Sequence, residues 1–129
     1  MIVVVTTIAG CFAVDLEEDE VEPWAGDPAA PVTLELNLPR LVAAAAAGST
    51  VVAVVDTKPP LVVSHDAGAT WRESGRGLPA GRAVAVFDDD PDVVVFATRN
   101  RLYVSRDGGM FWSSLAVELP EIEAVEIRS

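Results

Sequence analysis

The stretch Ser64–Trp71, SHDAGATW, returns 41 residues later as Ser105–Trp112, SRDGGMFW, with serine, aspartate, glycine and tryptophan at matching offsets. Such a spaced duplication constrains the fold more than any single residue does, because each copy must be one structural unit packed against the next. The register extends beyond the two boxes. Leu-Pro follows each tryptophan by seven residues, at Leu78-Pro79 and Leu119-Pro120, and the apolar runs AVAVF and AVEI begin at Ala83 and Ala124. A third Leu-Pro, Leu38-Pro39, stands 40 residues before Leu78-Pro79. The chain therefore divides into a degenerate first repeat (1–39) and two well-kept ones (40–81 and 82–129) within a single partial domain.

Within each repeat, short apolar runs are punctuated by Gly, Pro, Asp and Asn, the pattern of strands joined by tight turns. The second repeat predicts strands near 41–46, 51–56, 61–64 and 70–74, and the third near 82–87, 93–98, 101–105 and 111–117. The run VAAAAAG favours helix by propensity. Its equivalence to AVAVF predicts a buried inner strand instead. Four strands in about 40 residues is the period of a β-propeller blade. The phase splits one blade between the termini: strands at 2–7, 11–15 and 31–37 lack an inner strand, and the run 123–127 is an inner strand without a blade. The fold expected is all-β, with three four-stranded antiparallel blade equivalents per chain. Since propellers close with about 4–8 blades, the expectation is a homodimer closing a six-bladed ring, in which 123–127 of one chain completes the split blade of the other.

The two boxes resemble the Asp-box, or BNR, repeat, Ser-x-Asp-x-Gly-x-Thr-Trp, of sialidase-like, Vps10-like and photosystem assembly factor-like propellers. Ser64, Asp66, Gly68, Thr70 and Trp71 match throughout. Ser105, Asp107, Gly109 and Trp112 match in the second copy, where Phe111 replaces threonine. The residue types suit a hairpin: aspartate accepts backbone N–H bonds, serine closes the turn, glycine supplies positive φ and tryptophan pins the turn to the blade. The resemblance implies a structural box on the face away from the binding site. In the first repeat the acid-rich run Asp15–Pro31 replaces the box; it reads as a solvated loop rather than a calcium loop, with Trp24 a relic anchor.

A formal net charge of −11, with Lys58 the one lysine, disfavours nucleic-acid binding. No apolar run reaches 18 residues, so no membrane-spanning helix is expected. The apolar N-terminus has no preceding positive residue and reads as a strand rather than a signal peptide. Cys11 is the single cysteine, which excludes an intrachain disulfide and a cysteine-based zinc site and fits a cytoplasmic setting. No cofactor and no metal are expected.

Loops between the second and third strands, and between blades, should share one face, and they carry Arg40, Lys58, Arg76, Arg82, Arg99 and Arg101, six of nine basic residues. These six are the candidate ligand-binding residues, for an acidic or anionic partner that is a protein or a glycan. The main expectation is a non-catalytic binding scaffold. The alternative is a glycoside hydrolase of sialidase type, which the resemblance suggests but which requires catalytic groups not visible here. Tyr103 is the only tyrosine and falls in a third strand, Glu73 falls in an outer strand, and Asp56, Glu118 and Glu121 form no evident carboxylate pair. His65 lies inside a box and reads as a turn residue. No catalytic residue is assigned.

Overall fold

The computed structural model describes residues 1–30, 34 and 36–129. Twelve strands form three four-stranded antiparallel sheets, and no helix occurs among the described residues. The second blade comprises β4 (Leu41–Ala47), β5 (Thr50–Val55), β6 (Leu61–Ser64) and β7 (Arg72–Ser74) in sequential order. The third comprises β8 (Ala83–Phe87), β9 (Asp90–Ala97), β10 (Leu102–Ser105) and β11 (Ser113–Ser114). The first blade is split: β12 (Ile122–Arg128) lies inside β1 (Ile2–Thr7), followed by β2 (Gly10–Asp15) and β3 (Glu20–Pro23). The alanine run is the inner strand β4, paired along β5 from Leu41↔Val55 to Ala47↔Thr50. Tertiary pairing overrides its helical propensity.

Two expectations are corrected. The strand 122–128 does not cross to a second chain: it pairs antiparallel with β1 of its own chain, from Ile2↔Arg128 to Thr7↔Ile122. Closure within the chain brings one apolar edge to another without the entropic cost of association. The acid-rich run is not a loose loop either. Asp15 Oδ1 accepts the N–H groups of Glu17 and Glu18 at 2.9 and 3.0 Å, tightening a turn from which Glu20–Pro23 returns as the outer strand. Alternation explains this strand, since Val21 packs toward the core while Glu20 and Glu22 flank it outward. The fourth strand expected at 31–37 falls largely on Pro31, Val32, Thr33 and Glu35, outside the described residues.

β8 packs against both β4 and β12, so the third blade sits between the other two. One core cluster joins the first and third blades through Val3, Val5, Val14, Val95, Leu102 and Ile122. The other joins the second and third through Val52, Val54, Leu61, Val94 and Phe96. The third blade, packed against a neighbour on each face, needs apolar residues on both, hence the run of β9 buried from Val93 to Ala97. Beside the inner strands, an axial cleft of about 170 Å³ is lined by Ala43, Ala83 and Ala124 among others. Small side chains there let the three inner strands approach one another. The free face of the first blade is covered by its own chain, where Trp24 and Ala29 pack on Val4 and Ala124.

Candidate functional site

The two boxes are the hairpins joining β6 to β7 and β10 to β11. In the first, Ser64 Oγ donates to Asp66 Oδ1 at 2.7 Å and accepts the Gly68 N–H at 2.8 Å. Asp66 also accepts the Thr70 N–H at 2.8 Å and the Thr70 hydroxyl at 2.5 Å. The second box repeats the serine geometry: Ser105 Oγ donates to Asp107 at 2.7 Å and accepts Gly109 N–H at 2.9 Å. There Asp107 takes the Met110 and Phe111 N–H groups, and the Phe111 ring, where the first box has a threonine hydroxyl, is 75% exposed. Gly68 and Gly109 both have φ +91°, which glycine adopts without cost. The Thr70 hydroxyl, then its N–H and the Ser64 hydroxyl, hold the Asp66 carboxyl down at about 2. Asp107 is also lowered, chiefly by the Phe111 N–H. These carboxylates accept bonds that close their own turns, and each serine proton is given to its own aspartate. An aspartate held low by these bonds is a weak base for activating that serine.

The second box also fastens two blades. Trp112 Nε1 donates to Ser74 Oγ at 3.0 Å on β7, and the Ser74 hydroxyl in turn donates to the Gly109 carbonyl. A Cβ on Gly109 would lie 3.1 Å from Val63, and one on Gly108 would lie 2.9 Å from His65. The degenerate hairpin of the first blade makes a similar contact: Asp19 Oδ2 accepts the Ala116 N–H at 3.3 Å, next to the third blade's outer strand. His65 stays within this end of the molecule, its Nδ1 3.5 Å from Thr50 Oγ1.

The opposite end carries the β1–β2, β5–β6 and β9–β10 turns and the loops between blades. All six basic candidates lie there, but they do not form one cluster. Glu121 gathers two of them, with Arg99 Nε at 2.9 Å from Oε1 and Arg82 Nη1 at 3.4 Å from Oε2. The Arg99 hydrogen bond first, and the charges of Arg99 and Arg82 after it, hold the Glu121 carboxyl below the ordinary glutamate range. Arg101 pairs with Glu118 at 3.1 Å. Lys58 and Arg76 have no ion-pair partner among the described residues and line a separate cleft with Pro59, Glu73, Gly77 and Leu78. Arg40, at φ +57°, precedes β4, and its carbonyl accepts the Asp56 N–H at 2.9 Å.

The candidates for glycoside chemistry are not brought together. Tyr103 is in β10 beside Phe96, ring centroids 6.0 Å apart, as part of the core between two blades. Glu118 and Glu121 are each committed to arginine. A general acid must carry a proton near neutral pH; the arginines beside Glu121 favour its ionised form. Two residues that shape these ends were not marked by the sequence. Ser74 is replaced by Leu115 in the next repeat, so repeat comparison hides it. Gly81 lies where an added Cβ would be 2.1 Å from Phe96 and 2.8 Å from Val54. Its signal, a lone glycine before Arg82, resembles any loop glycine.

No family model and no curated protein matches the chain. Among solved structures it is similar to the GH74 enzyme of Niastella koreensis, at 20% identity and a TM-score of 0.51, covering 92% of this chain and 18% of that one. It is also similar to YCF48 bound to a D1 peptide, at 19% identity and a TM-score of 0.52, covering 92% of this chain and 36% of that one. Both are β-propeller proteins, and this chain has the coarse fold they share. It spans about a fifth of the first and about a third of the second.

Proposed function

We propose that this chain is a propeller of the Asp-box type whose role is binding, with the arginine-bearing end receiving an acidic or anionic partner. The observation that carries this reading is the state of the acids at that end. Glu121 is held ionised between Arg82 and Arg99, and Glu118 is paired with Arg101. A carboxylate held ionised in this way orients its arginines and is a poor proton donor, the role a glycosidase requires of one of its two acids. A protein ligand fits the reading, and one of the similar propellers is a complex with a peptide. Replacing Arg82 and Arg99 together by glutamine tests it. Partners captured by the intact protein should be lost by the double variant, whereas an unchanged interaction profile refutes the role of this end. Activity on a panel of fluorogenic glycosides, including a sialoside, would refute the non-catalytic reading.

The ring is the second part of the proposal. The third blade has a blade on each side, while the first and second have one neighbour each. Two copies placed end to end give six blades and satisfy closure under a two-fold axis. Since β12 completes its own chain's blade, this assembly requires no exchange of strands.

A further inference from the structure

We infer that the cleft between the β5–β6 turn and the loop after β7 is a recognition site for a peptide segment in which a carboxylate side chain neighbours an apolar one. This deepens the binding role proposed above and rests on it, adding to the arginine-bearing end a second contact, in the second blade and apart from Glu121. The cleft has a volume of about 460 Å³, within the roughly 300–1,000 Å³ of small-ligand sites. Two cations line it, Lys58 from the turn and Arg76 from the loop. In a chain of net charge −11, three of the other basic residues at this end are bound to glutamates. Lys58 and Arg76 are not, among the described residues. Their charges are therefore available to an incoming carboxylate, and a guanidinium can hold it through two parallel N–H bonds.

The remaining lining residues narrow the ligand class. Pro59 and Leu78 are half-buried and offer an apolar wall. Glu73, exposed at the same cleft, is an acceptor that would repel a simple dianion but receives an N–H donor. Gly77 is held at φ +86° with nothing within 4 Å of the position a Cβ would take. Its bare backbone leaves room for another chain to approach. The loop is fixed by the Leu78 N–H bond to the Gly75 carbonyl at 2.9 Å, and a side chain at Gly75 would press on Leu61 and Leu78 at 3.0 and 3.2 Å. The site is thus an ordered turn bearing two cations, one acceptor and an apolar wall. Peptides carry the complementary set: a carboxylate, backbone N–H groups and an apolar side chain.

The test is an NMR titration of the full chain, ¹⁵N-labelled, at low ionic strength, with acetyl-Glu-Leu-amide as probe. The amide signals of Lys58, Gly77 and Leu78 should move in a saturable way. Acetyl-Gln-Leu-amide should bind about tenfold more weakly, the loss expected of a charge-assisted contact of about 1.4 kcal/mol. The Lys58→Gln, Arg76→Gln double variant, both positions being exposed, should keep its dispersed spectrum and lose the response. Acetate and inorganic phosphate serve as the anion-only arms. If either reproduces the same shifts at the same concentration, the cleft is a plain anion site and the inference is wrong. If the probe instead moves Arg82, Arg99 and Arg101 while the cleft stays silent, the inference fails and the role of the arginine-bearing end survives. Silence at both places, with a partner still captured through Arg82 and Arg99, also overturns the cleft alone.

Discussion

At the scale of single residues, Asp66 shows how a box that resembles chemistry is used for structure. Its carboxylate accepts from Thr70 twice and from Ser64 once. Its folded pKa of about 2 lies below the ordinary 3.8. A depressed carboxylate stabilises the fold fully above its unfolded value, and that contribution fades as pH falls from 3.8 through about 2. Asp66→Asn should therefore be less stable than the parent at neutral pH, and the gap between them should close across that window. Denaturant unfolding at a series of pH values reads it, and a gap independent of pH would contradict the assignment. Gly81 makes the second case. Alanine there would meet the fully buried Phe96 ring, so Gly81→Ala should cost about 1–3 kcal/mol, the usual penalty of overpacking. An unchanged urea midpoint would show that the loop yields more readily than its packing implies.

At the scale of elements, the informative unit is the hairpin of one blade gripping the outer strand of its neighbour. Ser74 both accepts from Trp112 Nε1 and donates to the Gly109 carbonyl across the blade boundary. Ser74→Ala leaves both partners without their bond at a part-buried site, and a loss of about 1–3 kcal/mol is expected. Trp112→Phe keeps most of the apolar contact with Phe96 and should lose only the indole bond, about 0.5–1.5 kcal/mol. Because both changes act on one bond, the double variant should be less destabilised than the sum, which a double-mutant cycle measures directly. The blade pattern itself was legible in the sequence because strand alternation, turn residues and the duplicated box all repeat with one period. What repetition cannot show is a residue that differs between copies, as Ser74 and Leu115 do, or a strand with little apolar content. Glu20–Pro23 looks like loop for that second reason, since one inward valine among glutamates is a weak strand signal. The strand topology puts the six basic residues in loops at one end. Their division between glutamate partners and an open cleft depends on side-chain geometry that no spacing encodes.

At the scale of the whole molecule, the question is how three blades present their ends. The third blade has a neighbour on each side, whereas the first and second have one each. Two copies meeting at those open sides would bury further surface, and the free energy gained scales with the apolar area removed from water. Each copy carries −11, so the copies repel one another and added salt should tighten the pair by screening. Anion binding at Arg82 and Arg99, or at Lys58 and Arg76, responds oppositely and weakens as salt rises. The two effects are thus separable in one salt series. Sedimentation equilibrium should find twice the 13.6 kDa chain mass, with dissociation suppressed at higher ionic strength. Thermal midpoints should rise with protein concentration, as mass action requires of a dimer that unfolds to monomers. A folded species of 13.6 kDa whose midpoint ignores concentration would refute the two-copy ring.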